Sequence, residues 1–507
     1  MAQWLAWLGY TVYVHNGSTP DLSDAGTHLE GGRDVTSDFA DDSLHEECGI
    51  FGIYAPGVDV ARATFFGLFA LQHRGQESAG IASSLNGEIR LRKRMGLVNQ
   101  AFSEADLKHL RGDFAVGHTR YSTTGSSLPE NAGPMAADSP LGTIVVAHNG
   151  NVVNTVELGD DLRRRGTSLC TSTDSEVLTE VIANAPGIGI VEKVQRGLAD
   201  VVGAFSLAIL TPNELVAVRD PNGIRPLCLG QLEAGWVVAS ESCALSTVGA
   251  SYVREIEPGE ILHIGPDGLR SSWLAPAAEA LCVFELIYFA RPDSQLTGQR
   301  LHLVRQRMGA ELAREHPVAA DIVIGVPDSA TPAAIGYARA SGIEYQEALI
   351  KNRYIGRTFI QPDQRLREVG VRLKLNVLPE IVAGQRVIVI DDTIVRGTTS
   401  RPMVNLLRQA GAREIHMLVH APPIMWPCHL GVDMASRDEL IAANRSVDEI
   451  ADVIGVDSLG YLSLEGLYRA IGQPKSRFCS GCLTGEYPVA VPGTADKLVL
   501  ERTLQRV

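Results

Sequence analysis

Three groups of residues have the types and spacing to do chemistry. The first centres on Cys48. An ordinary cysteine, with a pKa of about 8.5, needs a nearby base before its thiolate can act as a nucleophile. Cys48 opens a β-like run to Tyr54. Four polar segments at strand ends or turns accompany it: Leu71-Gln-His-Arg-Gly-Gln-Glu-Ser-Ala-Gly-Ile81, Gly117-His-Thr-Arg-Tyr-Ser-Thr123, His148-Asn-Gly-Asn151 and Thr171-Ser-Thr-Asp-Ser-Glu176. The second group is Arg386-Val-Ile-Val-Ile-Asp391-Asp392-Thr-Ile-Val-Arg-Gly-Thr-Thr-Ser400. Its apolar residues make a buried strand, its two acids stand at the C-terminal end, and a Gly- and Thr-rich loop leads into a helix over 401–409. Ligands of open parallel sheets bind at C-terminal strand ends, and N–H groups with hydroxyls at a helix N-terminus make an anion site. The Gly-Lys-Ser/Thr ending of a Walker A loop is absent. The third group is Cys479-Ser-Gly-Cys482, with Cys282 and Cys428 as further candidate ligands. Zinc and iron–sulfur clusters both accept four thiolates, so ligand count does not choose between them. Cys170, Cys228 and Cys243 read as core thiols.

The elements that must hold these groups change character along the chain. Its 507 residues are enough for two to four domains, and 45% hydrophobic with 21% charged residues fits a globular protein. The net charge of −14 argues against non-specific nucleic-acid binding, so an anionic ligand needs a local basic cluster. One exists: Lys351, Arg353, Arg357, Arg365, Arg367, Arg372 and Lys374 face only Asp363 and Glu368 in the same stretch. The apolar N-terminal stretch lacks a basic lead and a cleavage site of the secretory kind, and no run is long enough for a transmembrane helix, which predicts a cytoplasmic protein. Residues 1–47 show no sustained period and end acid-rich, as a leader or an upstream start would. From Cys48, short strands dominate: Gly80–Ser84, Ile89–Arg92, Ala115–Thr119, Thr143–His148, Ser206–Leu210, Leu215–Arg219 and Trp236–Ser240. Helices are predicted over Val60–Gln72, Ser175–Ala185 and Ile190–Val201. This pattern predicts a sheet sandwich with helices outside. After about Leu281 the texture becomes strand–helix–strand. Ile322–Val326 and Arg386–Ile390 are β-branched runs without alternation, as central parallel strands are. The expected fold class is therefore α+β followed by α/β.

The segments around Cys48 together resemble the glutaminase domain of the N-terminal-nucleophile amidotransferases, over about Cys48 to Ala280. Taken singly, each charged residue would serve as well in a surface salt bridge; the joint occurrence carries the resemblance. It implies an αββα sandwich over 48–281. It also implies that the base is the α-amino group of Cys48 itself, freed by cleavage after Glu47, so that 1–47 is a propeptide. Arg120 would pair the glutamine α-carboxylate and Asp174 its α-ammonium. Arg74 belongs to the same glutamine-site motif and would order the loop near the nucleophile. Asn149 and the N–H of Gly150 would form the oxyanion hole.

The second group resembles the type I phosphoribosyltransferases, with a Rossmann-like parallel sheet over 282–507. The resemblance implies that Asp391 and Asp392 hold the ribose hydroxyls of phosphoribosyl pyrophosphate and one Mg²⁺ per subunit. Ser329, in Gly325-Val-Pro-Asp-Ser329, would join that metal site. The loop Thr393, Val395, Arg396, Gly397, Thr398 and Thr399 would cradle the 5-phosphate. Lys351 and Arg357, within Lys351–Phe359, would belong to a flexible loop over pyrophosphate.

One branch of the amidotransferases that join these two domains carries a [4Fe–4S] cluster. There one cysteine precedes a Phe-Glu-x-Ile-Tyr-Phe-Ala-Arg-Pro segment, here Phe284–Pro292, and another follows a Pro-Pro-Ile turn, here Pro422–Ile424. The resemblance thus assigns Cys282, Cys428, Cys479 and Cys482 to one cluster per subunit. The joined domains imply an enzyme that takes ammonia from glutamine and delivers it to phosphoribosyl pyrophosphate, giving 5-phosphoribosylamine, glutamate and pyrophosphate at the committed step of purine synthesis. A homotetramer inhibited by purine nucleotides is implied as well. Three rivals are weighed. A hexosamine-phosphate or asparagine synthetase would lack Asp391–Ser400. A non-enzymatic sensor would have lost Cys48, Arg120 or Asp391. A transferase fed by free ammonia would keep its leader.

Overall fold

The computed structural model describes residues 48–122, 124–352, 375–434 and 436–491. The expectations placed on the leader 1–47 and on Arg357 with its basic neighbours lie outside these residues.

Gly49–Tyr54 is a central strand of a seven-stranded antiparallel sheet. Its spatial order is Ser251–Glu255, Cys228–Leu232, Gly235–Ala239, Gly49–Tyr54, Phe114–Arg120, Ser78–Leu85 and Glu88–Met95. A six-stranded antiparallel sheet packs on it, in the order Gly268–Trp273, Glu260–Gly265, Leu215–Arg219, Gly203–Leu210, Gly142–Val152 and Met135–Ser139. Alternation of side chains decides which layer each residue fills. Ile50, Val116, Val145, Ala208 and Leu210 lie between the sheets. Phe51 and Ile53 face the other way, onto Leu68 of the helix Val60–Ala70. Leu207 and Ile209 face Leu178, Ile182 and Val194 of the helices Asp174–Asn184 and Ile190–Gly197. The central strands are therefore buried on both faces, and the order of layers is helix, sheet, sheet, helix. The last helix ends at Gly197 and not at Val201. Cys228 and Cys243 are core thiols as expected, but Cys170 is exposed. It lies in the connection to helix Asp174–Asn184, where its N–H donates to the Glu176 carboxylate at 2.8 Å and its side chain points to water.

Beyond Trp273 a short connection brings Leu281–Cys282 alongside Phe478–Cys479 as a parallel pair. One π-helical turn follows, Glu285–Phe289. The buried Arg305 braces it, donating to the carbonyls of Leu286 at 2.9 Å, Tyr288 at 3.0 Å and Ala290 at 2.7 Å. The remaining chain builds a five-stranded parallel sheet in the order Glu344–Tyr345, Ile322–Gly325, Arg386–Asp391, Glu414–Val419 and Ser458–Tyr461. In chain order this is 2-1-3-4-5, so the topological switch lies between Ile322–Gly325 and Arg386–Asp391. The helices Leu301–Glu315, Thr331–Ser341, Ser400–Gln409, Val447–Ile454 and Leu464–Ile471 pack against it. Among the described residues no helix is long and apolar enough to cross a membrane.

Candidate active site

The ends of several sandwich strands enclose a narrow cavity. Cys48, His118, Arg120, Tyr121, Thr124, His148, Gly150, Asp174 and Ser175 are among its lining residues. Residues from four separate sequence motifs meet there because their strands neighbour one another: Gly49 pairs with Thr119, and Asn149 with Ser206. The Cys48 thiol donates to the Tyr121 carbonyl at 3.4 Å. Burial pushes it up to about 11, against the smaller opposing effects of that bond and of Arg120. It therefore needs a base of its own to react near neutral pH.

Arg120 is buried at the cavity wall. It donates to the Thr124 carbonyl at 3.1 Å and to Glu77 at 3.4 Å. Asp174 is the first residue of its helix, where a carboxylate is favoured by the helix dipole. One of its oxygens accepts the Val152 N–H at 3.1 Å, and the other lies 3.9 Å from His148 Nδ1. A guanidinium and a carboxylate thus face one small space, as an α-amino acid requires. Asn149 is fully buried, and neither its Nδ2 nor its Oδ1 has a hydrogen-bond partner among the described residues. A buried amide without partners is costly, so a donor and an acceptor are on offer here to a small polar group. Next to it, Gly150 has φ +144, and a Cβ there would collide with the Ala204 carbonyl oxygen.

Arg74 lies away from this cavity wall. It is buried and donates to Glu241 at 2.7 Å and to Glu285 at 2.6 Å, with Nε 3.4 Å from the Cys48 carbonyl oxygen. Burial alone would lower its pKa; Glu285 and Glu241 outweigh that and hold it above its ordinary value. His73 also bonds Glu241, at 2.7 Å. His118 and His148 sit inside the motif segments, but sequence reasoning gave neither a role. Burial pushes His118 down to about 3, and it also pushes His148 below its usual range. His118 Nε2 meets the His148 carbonyl oxygen at 2.9 Å, which pins the strand that carries Asn149 and Gly150. Nothing in the sequence marks Glu241.

At the topological switch of the parallel sheet, Ser329 donates to the Asp392 carboxylate, and Thr393 Oγ1 donates to its other oxygen at 2.8 Å. Burial pushes the Asp392 carboxyl up. Lys351 reaches Asp328 at 3.2 Å. Arg396 pairs with Glu439, Gly397 has φ +77, and the Val395 carbonyl accepts the Ile441 N–H at 2.9 Å. This loop leads into the helix Ser400–Gln409, and the Arg401 N–H donates back to the Gly397 carbonyl at 3.4 Å.

The four candidate cluster cysteines converge, although two of them are remote in sequence. Cys282 and Cys479 are register partners, and the Met425 and Trp426 N–H groups both donate to the Cys482 carbonyl at 3.0 Å. The Cys428 sulfur accepts the Leu430 N–H at 3.4 Å. Burial, then the neighbouring Cys282, pushes the Cys479 thiol up to about 12; burial and the other three push Cys482 up as well. Four soft donors are thus neighbours in a largely buried space, a donor set that metal ions of the thiolate-binding kind accept. Among the described residues, no three His, Cys, Asp or Glu are placed around a single ion.

A family model described as a glutamine amidotransferase domain matches residues 118–247. The chain is 52% identical over 491 residues to the amidophosphoribosyltransferase of Synechocystis sp., covering 95% of this chain and 99% of that one. It is 49% identical over 462 residues to that of Mycobacterium tuberculosis, covering 89% and 88%. Two solved structures are similar at a TM-score of 0.84. The allosteric regulatory enzyme of purine biosynthesis is 44% identical, with 89% of this chain and 98% of that one covered. Glutamine phosphoribosylpyrophosphate amidotransferase from B. subtilis, complexed with ADP and GMP, is 43% identical, with 89% and 99% covered. The similarity runs across both halves, the thiol cavity and the parallel-sheet strand end alike, and the chain belongs to the amidophosphoribosyltransferase family.

Proposed function

We propose that this chain transfers the amide nitrogen of glutamine to C1 of phosphoribosyl pyrophosphate, giving 5-phosphoribosylamine, glutamate and pyrophosphate at the first committed step of purine synthesis. The observation that carries the reading is the meeting of Cys48, Arg120, Asp174 and Gly150 in one cavity, beside the orphaned amide of Asn149.

The glutaminase half spans 48–281 and the transferase half 282–507. Cleavage after Glu47 frees the Cys48 α-amine, which ordinarily titrates near 8 and takes the thiol proton. Arg120 and Asp174 hold the glutamine α-carboxylate and α-ammonium, and Arg74 supports the nucleophile from behind through the Cys48 carbonyl. The Cys48 sulfur bonds to the carboxamide carbon, and the negative charge gathers on oxygen, where Asn149 Nδ2 and the Gly150 N–H stabilise it. The C–N bond then breaks and the α-ammonium returns its proton to the leaving nitrogen, so ammonia departs and a thioester remains. Water cleaves the thioester to glutamate. In the transferase half, ammonia attacks C1 and pyrophosphate leaves. Asp391 and Asp392 bind the ribose hydroxyls, the loop from Thr393 to Thr399 takes the 5-phosphate, and Lys351 with Arg357 meets the pyrophosphate.

Ser329, Asp391 and Asp392 would hold one Mg²⁺, which supplies positive charge to the leaving pyrophosphate. A site with few protein ligands suits this ion, which keeps waters and substrate phosphates in its shell. Cys282, Cys428, Cys479 and Cys482 would hold one [4Fe–4S] cluster in a structural role. Purine nucleotides inhibit; the similar B. subtilis enzyme complexed with ADP and GMP supports this. The working form is a homotetramer, and the exposed Phe66 and Phe69 are apolar surface of the kind that subunits bury.

The test is glutamate release from glutamine, with and without phosphoribosyl pyrophosphate and Mg²⁺. Strong stimulation by the second substrate, lost in Cys48→Ala while ammonia-dependent synthesis persists, is the expected result. Ammonia-dependent synthesis with no glutamate release from the processed chain would replace this reading with that of a bare transferase.

A further inference from the structure

The transferase half reaches the oxyanion strand directly. Asn151 Nδ2 donates to the His429 carbonyl at 2.9 Å. The fully buried Arg225 donates twice to the next carbonyl, that of Leu430, through Nε at 3.0 Å and Nη2 at 2.6 Å. Gly431 follows with φ +114; a Cβ there would lie 3.1 Å from the Gly150 carbonyl carbon and 3.0 Å from Arg225 Nη2. Gly150 is therefore boxed in: its Cα faces the Ala204 carbonyl on its own sheet, and its carbonyl carbon faces Gly431 from the other half.

The far end of the same loop begins at the phosphoribosyl strand end. Val419 is the register partner of Asp391, and the ring of the adjacent His420 has Nδ1 2.9 Å from the Asp391 carbonyl oxygen. One continuous segment, from Val419 to Gly431, thus links the strand end that would bind ribose to the carbonyl side of Gly150, the residue whose N–H would bind the oxyanion. A planar guanidinium gripping one carbonyl with two N–H groups fixes orientation as well as distance, which an ammonium does not. The third nitrogen of Arg225, Nη1, lies 3.7 Å from the buried Glu285, which offsets the cost of covering a guanidinium fully and leaves the other two to hold the loop.

Resting on the functional reading above, we propose that Arg225 is a positioning residue: by holding the Leu430 carbonyl it seats Gly431 against the Gly150 carbonyl, sets the backbone of Gly150 and makes glutamine hydrolysis respond to the occupancy of the transferase half. Arg225 touches no substrate in this role; it acts through the loop and the oxyanion strand.

The test uses the processed holoenzyme and the variants Arg225→Gln and Arg225→Lys. Glutaminase kcat and KM are measured with and without phosphoribosyl pyrophosphate and Mg²⁺, beside ammonia-dependent synthesis. In Arg225→Gln the stimulation of glutaminase kcat falls about tenfold, a usual size for coupling between sites. KM for glutamine and the ammonia-dependent rate stay within about twofold. Arg225→Lys recovers part of the stimulation, because one donor remains. Asn151→Asp, which sets a carboxylate oxygen against the His429 carbonyl, gives the same loss and serves if Arg225→Gln does not fold. Full stimulation in a folded Arg225→Gln overturns the proposal, as does full stimulation in Asn151→Asp where Arg225→Gln does not fold, and as does an equal loss of the glutamine- and ammonia-dependent rates. A wild-type enzyme without glutamine-dependent product overturns the functional reading and this proposal together, so the two failures are distinguishable.

Discussion

At the scale of single residues, burial holds Cys48, His118 and His148 of the glutaminase cavity out of their ordinary states. Cys48 is a poor nucleophile while desolvation holds its thiol above the ordinary range, so it needs a base beside it. His118 and His148 are kept neutral, and their work is to fix a strand. Their burial has a consequence for stability. Both ordinarily titrate near 6.5, and burial lowers both, His118 to about 3. Below about pH 6.5 the unfolded chain takes up protons that the folded chain refuses. Their contribution to stability is fully present above that pH and is lost as pH falls toward the folded values, at about 1.4 kcal/mol per pH unit for each buried ring. His118→Gln keeps a donor for the His148 carbonyl and removes one titration. Chemical denaturation at pH 7.0 and 5.0 should therefore show a loss about 2 kcal/mol smaller in the variant. An identical loss in both proteins would mean that His118 is not held neutral.

Elements position these residues through contacts that cross the chain. The strand Gly142–Val152 carries Asn149, Gly150 and Asn151, and His118, Ala204 and Gly431 fix it from three sides. Arg74, at the end of the helix Val60–Ala70, is tied to Glu285 at the start of the π-helical turn, although 211 residues separate them. Both side chains are buried, and Glu285 also lies 3.7 Å from the buried Arg225, so removing it leaves two under-compensated guanidiniums, of which Arg74 keeps Glu241; breaking a buried pair typically costs about 3–5 kcal/mol. Glu285→Ala should lower the thermal unfolding temperature by several degrees, whereas removing the exposed Arg62–Glu104 pair should change nothing measurable. Calorimetry of both variants checks this, and a Glu285→Ala protein that melts with the wild type would remove the network from the account of stability.

For the whole molecule, an αββα glutaminase sandwich and a type I phosphoribosyltransferase sheet meet along one boundary. The cysteine group lies on that boundary. Cys282 ends the connection between the halves, Cys479 and Cys482 come from the C-terminal segment, and Cys428 leads into the loop that touches Gly150. A structural cluster there would hold the C-terminal segment and the oxyanion loop together. Cys479→Ser should therefore abolish the visible absorbance and iron content of the purified protein, lower its unfolding temperature and speed limited proteolysis of the transferase half. A variant without iron but with unchanged melting and proteolysis would show that no such brace exists.

The sequence alone determined which chemistry was available. The motif around Arg120, His148-Asn-Gly-Asn151, Thr171–Glu176 and Asp391-Asp392 are each contiguous, because a strand end or tight turn presents neighbouring residues to one ligand, and local spacing records that. Buried parallel strands were legible for a similar reason, since residues covered on both faces must be apolar without alternation. What joins the halves left no such trace. Arg225 and Leu430 lie 205 residues apart, and Arg74 and Glu241 lie 167 apart. A glutamate or arginine in a loop has the same local pattern whether it meets water or a buried partner. Cys170 illustrates the converse, a thiol whose type suggests the core and whose connection leaves it in solvent. Tertiary structure decided these cases, because burial and partnership are properties of what folds against a residue and not of its neighbours along the chain.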